Sequence, residues 1–271
     1  MNLWQEMAAV AEMAAQQGAL YSIENTVEVL SDDGIEFIVR LAPGLAAKPK
    51  VVTTKPVQTD VLDKKLSPFL PPEKALLVRR VNENYNLVLN KFNVLKTHGL
   101  LTTTRFVEQT ELLTLTDFDV VSWALKNTDG LVFYNGGGIA GASQAHRHFQ
   151  LVPKDLGGGY LPIELAVEQW RQGTRKRLFP FAYRAFWLAD CEPETLMEVW
   201  RKLEYQFQAF NLLVTQNWML VIPRRAESFD GISVNSLGYA GALLVKTEQE
   251  LIRLKRQGPM ALLAEVSQPC S

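Results

Sequence analysis

Apolar and polar positions alternate with a period of two through much of this chain, interrupted by stretches of helical spacing. Ile35, Phe37, Val39 and Leu41 alternate with Glu36 and Arg40, the pattern of a strand with one wet face. Tyr85, Leu87 and Leu89 alternate with Asn86 and Asn90, a bend follows near Asn93, and extended structure resumes over 100–105. Further strands are expected at 131–134, through the His146 segment to about Pro153, and at 181–188. Two apolar runs within 211–224, separated by Gln216 and Asn217, read as a hairpin whose rhythm echoes the 86–104 block and suggests an internal duplication. Helical spacing predicts helices over 3–17, with Gly18 as the stop, and over 193–210 and 237–256. A capping start at Thr116 and Asp119 predicts one more, running to Asn127. Residues 43–72 are rich in proline and polar groups and read as an irregular segment that drapes the surface or forms a lid. Gly157, Gly158 and Gly159, with the polar stretch to Arg177, read as the main linker, and the last residues as loose.

Strands and helices in this mixture define an α+β protein with a mostly antiparallel sheet and flanking helices, and 271 residues are enough for a sizeable core. Hydrophobic residues at 47% and charged residues at 21% exclude a disordered or fibrous chain. A net charge of −1 provides no global field for a polyanion, so no nucleic-acid partner is expected, while small anions stay open. Glu6 and Glu12 lie near an amino terminus with no basic region or long apolar run, so neither a leader nor a membrane span is expected. Cys191 and Cys270 are isolated, which points away from a disulfide scaffold and towards a cytoplasmic location.

The chemistry concentrates between Tyr134 and Gln150. A glycine-rich bend (Gly136, Gly137, Gly138, Gly141) leads into His146-x-His148-x-Gln150, which strand alternation places on one face beside backbone amides. That layout suits an imidazole nucleophile, His148, attacking phosphorus while a partner on its other nitrogen fixes the tautomer. Gln150 offers a neutral donor, and Ser143 and Gln144 can hydrogen-bond neighbouring oxygens. The spacing Gly136-x-x-x-x-Gly141 mimics a phosphate-binding loop but lacks the lysine and the following helix. Gly141-x-Ser143 mimics a nucleophile elbow, yet no histidine follows His148. His98, His146 and His148 make only a moderate case for a metal, having no organised carboxylate or thiol partner. The basic cluster Arg171, Arg175, Lys176 and Arg177 reads first as a solvated face.

The stretch Gly141-Ala142-Ser143-Gln144-Ala145-His146-Arg147-His148-Phe149-Gln150 resembles the signature of the diadenosine tetraphosphate phosphorylases, also called ATP adenylyltransferases, in the histidine-triad superfamily. Supporting pieces are Ser67-Pro68-Phe69, Asn90-Lys91-Phe92, His98-Gly99-Leu100, Gln109, Tyr134-Asn135-Gly136, Thr215, Trp218-Met219, Pro223-Arg224 and Ser233-Val234-Asn235-Ser236. The resemblance implies two histidine-triad-like halves: residues 1–155 carrying the His-x-His-x-Gln strand and 156–271 completing a nucleotide pocket, with one compact unit as the other arrangement. It implies cleavage of diadenosine tetraphosphate (Ap4A) by phosphate to ATP and ADP, through an adenylated His148. Gln150 would then hydrogen-bond the transferred phosphate, His146 would orient the nucleophile partly through its carbonyl, and Asn135, Gly141, Ser143 and Gln144 would hold the polyphosphate. Lys91 is a further phosphate contact, and Asn90, His98, Gly136, Ala142, Thr215 and Met219 complete the expected substrate-binding set. Phe92 and Leu100 are candidates for an adenine slot. Related uridylyltransferases carry zinc with cysteine ligands; this chain has no Cys-x-x-Cys, so no zinc is expected, and magnesium would enter on the nucleotide phosphates. Other acceptors in a nucleotidylyltransferase or a dinucleoside polyphosphate hydrolase, and a non-catalytic nucleotide sensor, are the alternatives.

Overall fold

The computed structural model describes residues 2–45, 67–203 and 207–270. The chain opens with helix α1 (Leu3–Gln16), its first turn closed by a capping box between Asn2 and Gln5. Strands β1 (Tyr21–Ser22), β2 (Thr26–Asp32), β3 (Ile35–Leu41), β4 (Leu77–Arg80), β5 (Tyr85–Leu89), β6 (Phe92–Asn93) and β7 (Gly99–Thr103) follow. After α2 (Leu115–Asn127) come β8 (Gly130–Gly136), β9 (His148–Pro153), α3 (Glu164–Arg171), β10 (Arg184–Trp187) and α4 (Pro193–Arg201). The chain then forms β11 (Phe210–Val214), β12 (Trp218–Pro223), β13 (Ser228–Phe229), β14 (Ile232–Ser233), α5 (Ser236–Tyr239), β15 (Ala242–Val245), α6 (Glu248–Gln257) and α7 (Pro259–Val266).

Eight strands form one antiparallel sheet in the order β10-β12-β11-β8-β9-β7-β5-β4. The sheet runs unbroken across residue 155, because β8 pairs with β11. A smaller sheet, β15-β3-β2, lies over its front. Strand parity sorts the core. Front-facing Phe133, Val152, Leu213, Leu220 and Ile222 pack with Phe37, Val39 and the carboxy-terminal helices, whereas rear-facing Tyr134, Phe149, Leu151, Leu212 and Val221 pack with α1, α2 and α4.

Several elements differ from the sequence expectation for identifiable reasons. Strand β3 has no wet face: every position but Glu36 is buried, Arg40 included, because β2 and β15 flank it and other elements cover both faces. Helix α2 starts two residues early. Its box joins Thr114 to Asp117, whose carboxylate accepts the Thr114 N–H at 2.6 Å and the hydroxyl at 2.8 Å. The 157–177 stretch is no linker, since it contains α3 and buries Leu161, Ile163, Ala166 and Val167. The helix expected over 193–210 stops at Arg201, and the one over 237–256 divides into α5, β15 and α6. Gly241, at φ 88°, makes that division. The tail is anchored by α7, which buries Met260, Leu262, Leu263 and Val266. Most of the expected lid over 43–72, residues 46–66, lies outside the described residues.

Candidate active site

A cavity of about 1100 Å³ opens between the front of the large sheet and the smaller one. Its floor is set by parity on three neighbouring strands: Val88 and Asn90 from β5 and just past its end, His98 and Leu100 from β7 and just before it, and His148 and Gln150 from β9. Asn135, Gly141, Ser143, Gln144 and Lys91 also line it. The far wall comes from Arg40, the 233–238 segment, β15 and Lys246.

His148 is 4% exposed, and its Nδ1 lies 2.8 Å from the His146 carbonyl. A carbonyl only accepts, so Nδ1 carries the proton and Nε2 keeps the lone pair. Burial pushes the imidazole down to about 4, partly offset by that carbonyl, so the ring is neutral at physiological pH. Beside it, His98 Nε2 donates to Gln150 Oε1 at 2.8 Å, and Asn90 Nδ2 donates to His98 Nδ1 at 3.1 Å. This chain fixes the Gln150 amide with its oxygen occupied, leaving its NH2 as a donor towards the cavity. Burial holds His98 at about 4 as well.

His146 does not line the cavity. Its ring turns aside to Ser67 Oγ, Thr103 Oγ1 and the Arg105 carbonyl, so only His148 and Gln150 of the alternating triplet face the cavity. The reason is local, since regular pairing of β9 begins at His148 while His146 makes only an isolated bridge to Glu108. Gln109 governs this junction: its Oε1 accepts the His148 N–H at 2.8 Å, and its Nε2 donates to the Asn135 and His148 carbonyls.

The glycine loop uses much of its own backbone. Ala140, Gly141 and Ala142 donate to Gly137 or Gly138 carbonyls, whereas the Ser143 and Gln144 amides have no partner among the described residues. Ala142 therefore contributes neither a free amide nor cavity lining. Gly141 sits at φ 89°, and a Cβ there would meet the Val234 carbonyl oxygen at 2.8 Å. Gly136 points rearwards against the Phe210 ring, which a Cβ would meet at 2.7 Å, so it shapes the strand instead of lining the cavity.

Two other expected contacts are displaced. Met219 lies in the rear core, on the opposite sheet face, and Thr215 is fully buried in the β11–β12 turn, with Oγ1 accepting from the Asn217 and Trp218 amides. Asn135 Oδ1 accepts from Asn211 Nδ2, Ser236 N–H and Ser236 Oγ, which binds the loop to the carboxy-terminal half. Lys91 forms an exposed ion pair with Glu73 at 2.8 Å, weak enough to yield to a phosphate. Arg175 is engaged with Asp33 and Arg171 with Glu168, so neither belongs to the cavity. Sequence reasoning missed Arg40 and Lys246, which line the cavity without an ion pair among the described residues. The one available signal was a cation within an apolar run: Ile38-Val39-Arg40-Leu41 and Leu244-Val245-Lys246.

No cluster of three His, Cys, Asp or Glu side chains able to hold a metal occurs among the described residues. Among the described residues the cavity carboxylates are Glu73, paired with Lys91, and Glu227. No described helix is long and apolar enough to cross a membrane.

A buried imidazole at a strand end, a neighbouring amide donor and a glycine loop under a two-sheet cavity are the arrangement expected of a nucleotidyltransferase of the histidine-triad type, and the family models place the chain in that class. Residues 1–169 match the family model described as the Ap4A phosphorylase N-terminal domain, and residues 177–269 match the ATP adenylyltransferase C-terminal domain. The chain belongs to the Ap4A phosphorylase family. It is 25% identical over 264 residues to diadenosine 5',5'''-P1,P4-tetraphosphate phosphorylase 2 of Saccharomyces cerevisiae, covering 81% of this chain and 79% of that one. The crystal structure of yeast Ap4A phosphorylase Apa2 in complex with Ap4A matches with a TM-score of 0.78 at 24% identity, over 100% of this chain and 98% of that one. The same enzyme in complex with AMP matches with a TM-score of 0.78 at 25% identity, over 100% and 99%.

Proposed function

We propose that this chain cleaves Ap4A with inorganic phosphate to ATP and ADP by two displacements at His148. The observation that carries the reading is a neutral imidazole on the cavity face whose proton is held on Nδ1 by the His146 carbonyl. In the first displacement the Nε2 lone pair forms a bond to the α-phosphorus, the P–O bond to the departing ATP breaks, and the ring becomes a cationic adenylated imidazole. The Nδ1–H bond to the carbonyl stabilises that cation. In the second, an oxygen of inorganic phosphate attacks the same phosphorus, ADP leaves, and His148 returns to neutral.

The Gln150 NH2 group and the free Ser143 and Gln144 amides supply donors for charge on the phosphoryl oxygens, and removing one such donor typically costs about 3 kcal/mol. Asn90 and Lys91 lie at the edge where ribose or phosphate would pass. Phe92, stacked on Tyr21 at 5.6 Å, and Leu100 offer apolar surface to an adenine. Among the described residues no His, Cys, Asp or Glu cluster forms a cage for a divalent ion, and magnesium would enter on the substrate's own phosphates.

The test is incubation with Ap4A, with and without phosphate, and resolution of the products. ATP plus ADP appearing only with phosphate supports the reading; AMP plus ATP in water alone points to a hydrolase, and binding without products to a sensor. His148→Gly should abolish the covalent adenylate while sparing nucleotide binding, and an adduct that survives the substitution moves the nucleophile elsewhere.

A further inference from the structure

His146 faces away from the cavity, yet its ring is held more tightly than that of the nucleophile. Nε2 lies 3.1 Å from the Arg105 carbonyl, which can only accept, and 2.7 Å from Thr103 Oγ1. The proton of the neutral ring is therefore on Nε2, and Nδ1 carries the lone pair. Ser67 Oγ stands 2.5 Å from Nδ1 and so donates to it, while accepting the Phe69 N–H at 3.1 Å. That turn sets the Phe69 ring 5.6 Å from the His146 ring and 5.5 Å from the His148 ring, and Phe106 packs on His146 at 5.3 Å. The two histidines thus hold opposite tautomers, Nε2–H on His146 and Nδ1–H on His148, joined through the His146 main-chain carbonyl.

We propose that Ser67 is a positioning residue for the nucleophile: it locks the His146 ring and the Phe69 side chain so that the His146 carbonyl holds the His148 Nδ1–H and presents the Nε2 lone pair to the cavity. The catalytic part of this proposal rests on His148 being the nucleophile; the tautomer part does not. Loss of the hydroxyl leaves His146 Nδ1 without a donor and free to take a proton. The charged groups around it are few. Arg105 reaches the ring through its carbonyl, the bridge partner Glu108 has an exposed side chain, His148 is neutral, and Arg147 points to the opposite face, where Asp117 neutralises it. A cationic His146 would abandon the present geometry and disfavour positive charge on His148.

The experiment compares wild type, Ser67→Ala and Ser67→Thr by rapid-quench formation of the adenylated chain from Ap4A without phosphate, between about pH 5 and 8. Ser67→Ala should slow adenylation roughly 10- to 100-fold with nucleotide affinity unchanged. Its acid limb should move up by about one pH unit, and Ser67→Thr should restore both rate and limb. In parallel, 15N NMR of labelled histidines reads the tautomers without turnover: the His146 signals should change in Ser67→Ala and return in Ser67→Thr. An unchanged rate and acid limb in Ser67→Ala, or both histidine tautomers unaltered, would overturn the proposal. Absence of an adenylate in the wild-type chain would instead remove the reading of His148 as nucleophile and leave the NMR arm to decide the role of Ser67.

Discussion

An imidazole buried without a counter-charge stays neutral because ionising it would cost more than its hydrogen bonds return. His148 and His98 are both in this position, each held at about 4, against about 6.5 in an unfolded chain. Between those values the unfolded state binds more protons, so these two side chains add stability above pH 6.5 that is lost as pH falls towards 4. Denaturant midpoints should accordingly decline through that window, and His98→Phe should flatten the decline; an equally steep curve in that variant would remove His98 as a contributor. His148 and Gln150 were legible because strand alternation places them on one face; the same alternation put His146 there too, and that failed because regular pairing begins only at His148. Alternation also explains two of the errors. Met219 sits at the wrong parity, while Thr215, at the right parity, is consumed by its own turn, and neither fact is visible without knowing which sheet face holds the cavity.

At the scale of elements, Asp117 links the start of α2 to the residue just before β9. Its carboxylate closes the capping box with Thr114, accepts from the Tyr85 hydroxyl and pairs with Arg147 at 2.9 Å, with both partners of the ion pair nearly fully buried. Arg147 continues through Nη2 to the Glu111 and Leu112 carbonyls, so the residue between the two histidines is anchored opposite the cavity. Asp117→Ala should destabilise by about 3–5 kcal/mol, since it leaves a buried guanidinium unpaired, well above the ~1 kcal/mol of a lost cap alone. Equilibrium urea unfolding measures the difference, and a loss near the cap value would mean that Arg147 finds other partners. Thr116 was a reasonable start from sequence, because Thr114 and Thr116 both precede acidic residues at capping distance; the choice between them is made by Arg147, thirty residues later. Strand β15 was hidden for a similar reason. Its parallel partner β3 lies two hundred residues earlier, and local periodicity across Leu243, Leu244 and Val245 fits a buried helix equally well.

Across the whole molecule, the glycine loop at mid-sequence and the carboxy-terminal half meet at a buried polar knot. Asn211 donates to Asn135 Oδ1, the Ala140 carbonyl and Ser236 Oγ, and accepts from Arg224, which has no carboxylate partner among the described residues and is satisfied mainly by carbonyls, including those of Val234 and Val266. The glycine loop is thus held from the carboxy-terminal half. Asn211→Leu strands several buried donors and acceptors at once, each worth about 1–3 kcal/mol, so it should lower stability by several kcal/mol and disable the loop. Calorimetry together with an adenylation assay checks both effects; intact adenylation in a folded variant would detach the loop from the knot. Sequence resemblance pointed to both halves of this arrangement but not to the contacts between them, because a buried amide and a surface amide look alike in a string of letters.

The cavity wall draws on residues from Tyr21 to Lys246. During synthesis, then, a nascent chain on the ribosome lacks the complete cavity until Lys246 has cleared the exit tunnel, although His148 emerged about a hundred residues earlier. Premature termination between His148 and Lys246 yields a polypeptide that carries the His148 imidazole without the complete cavity around it.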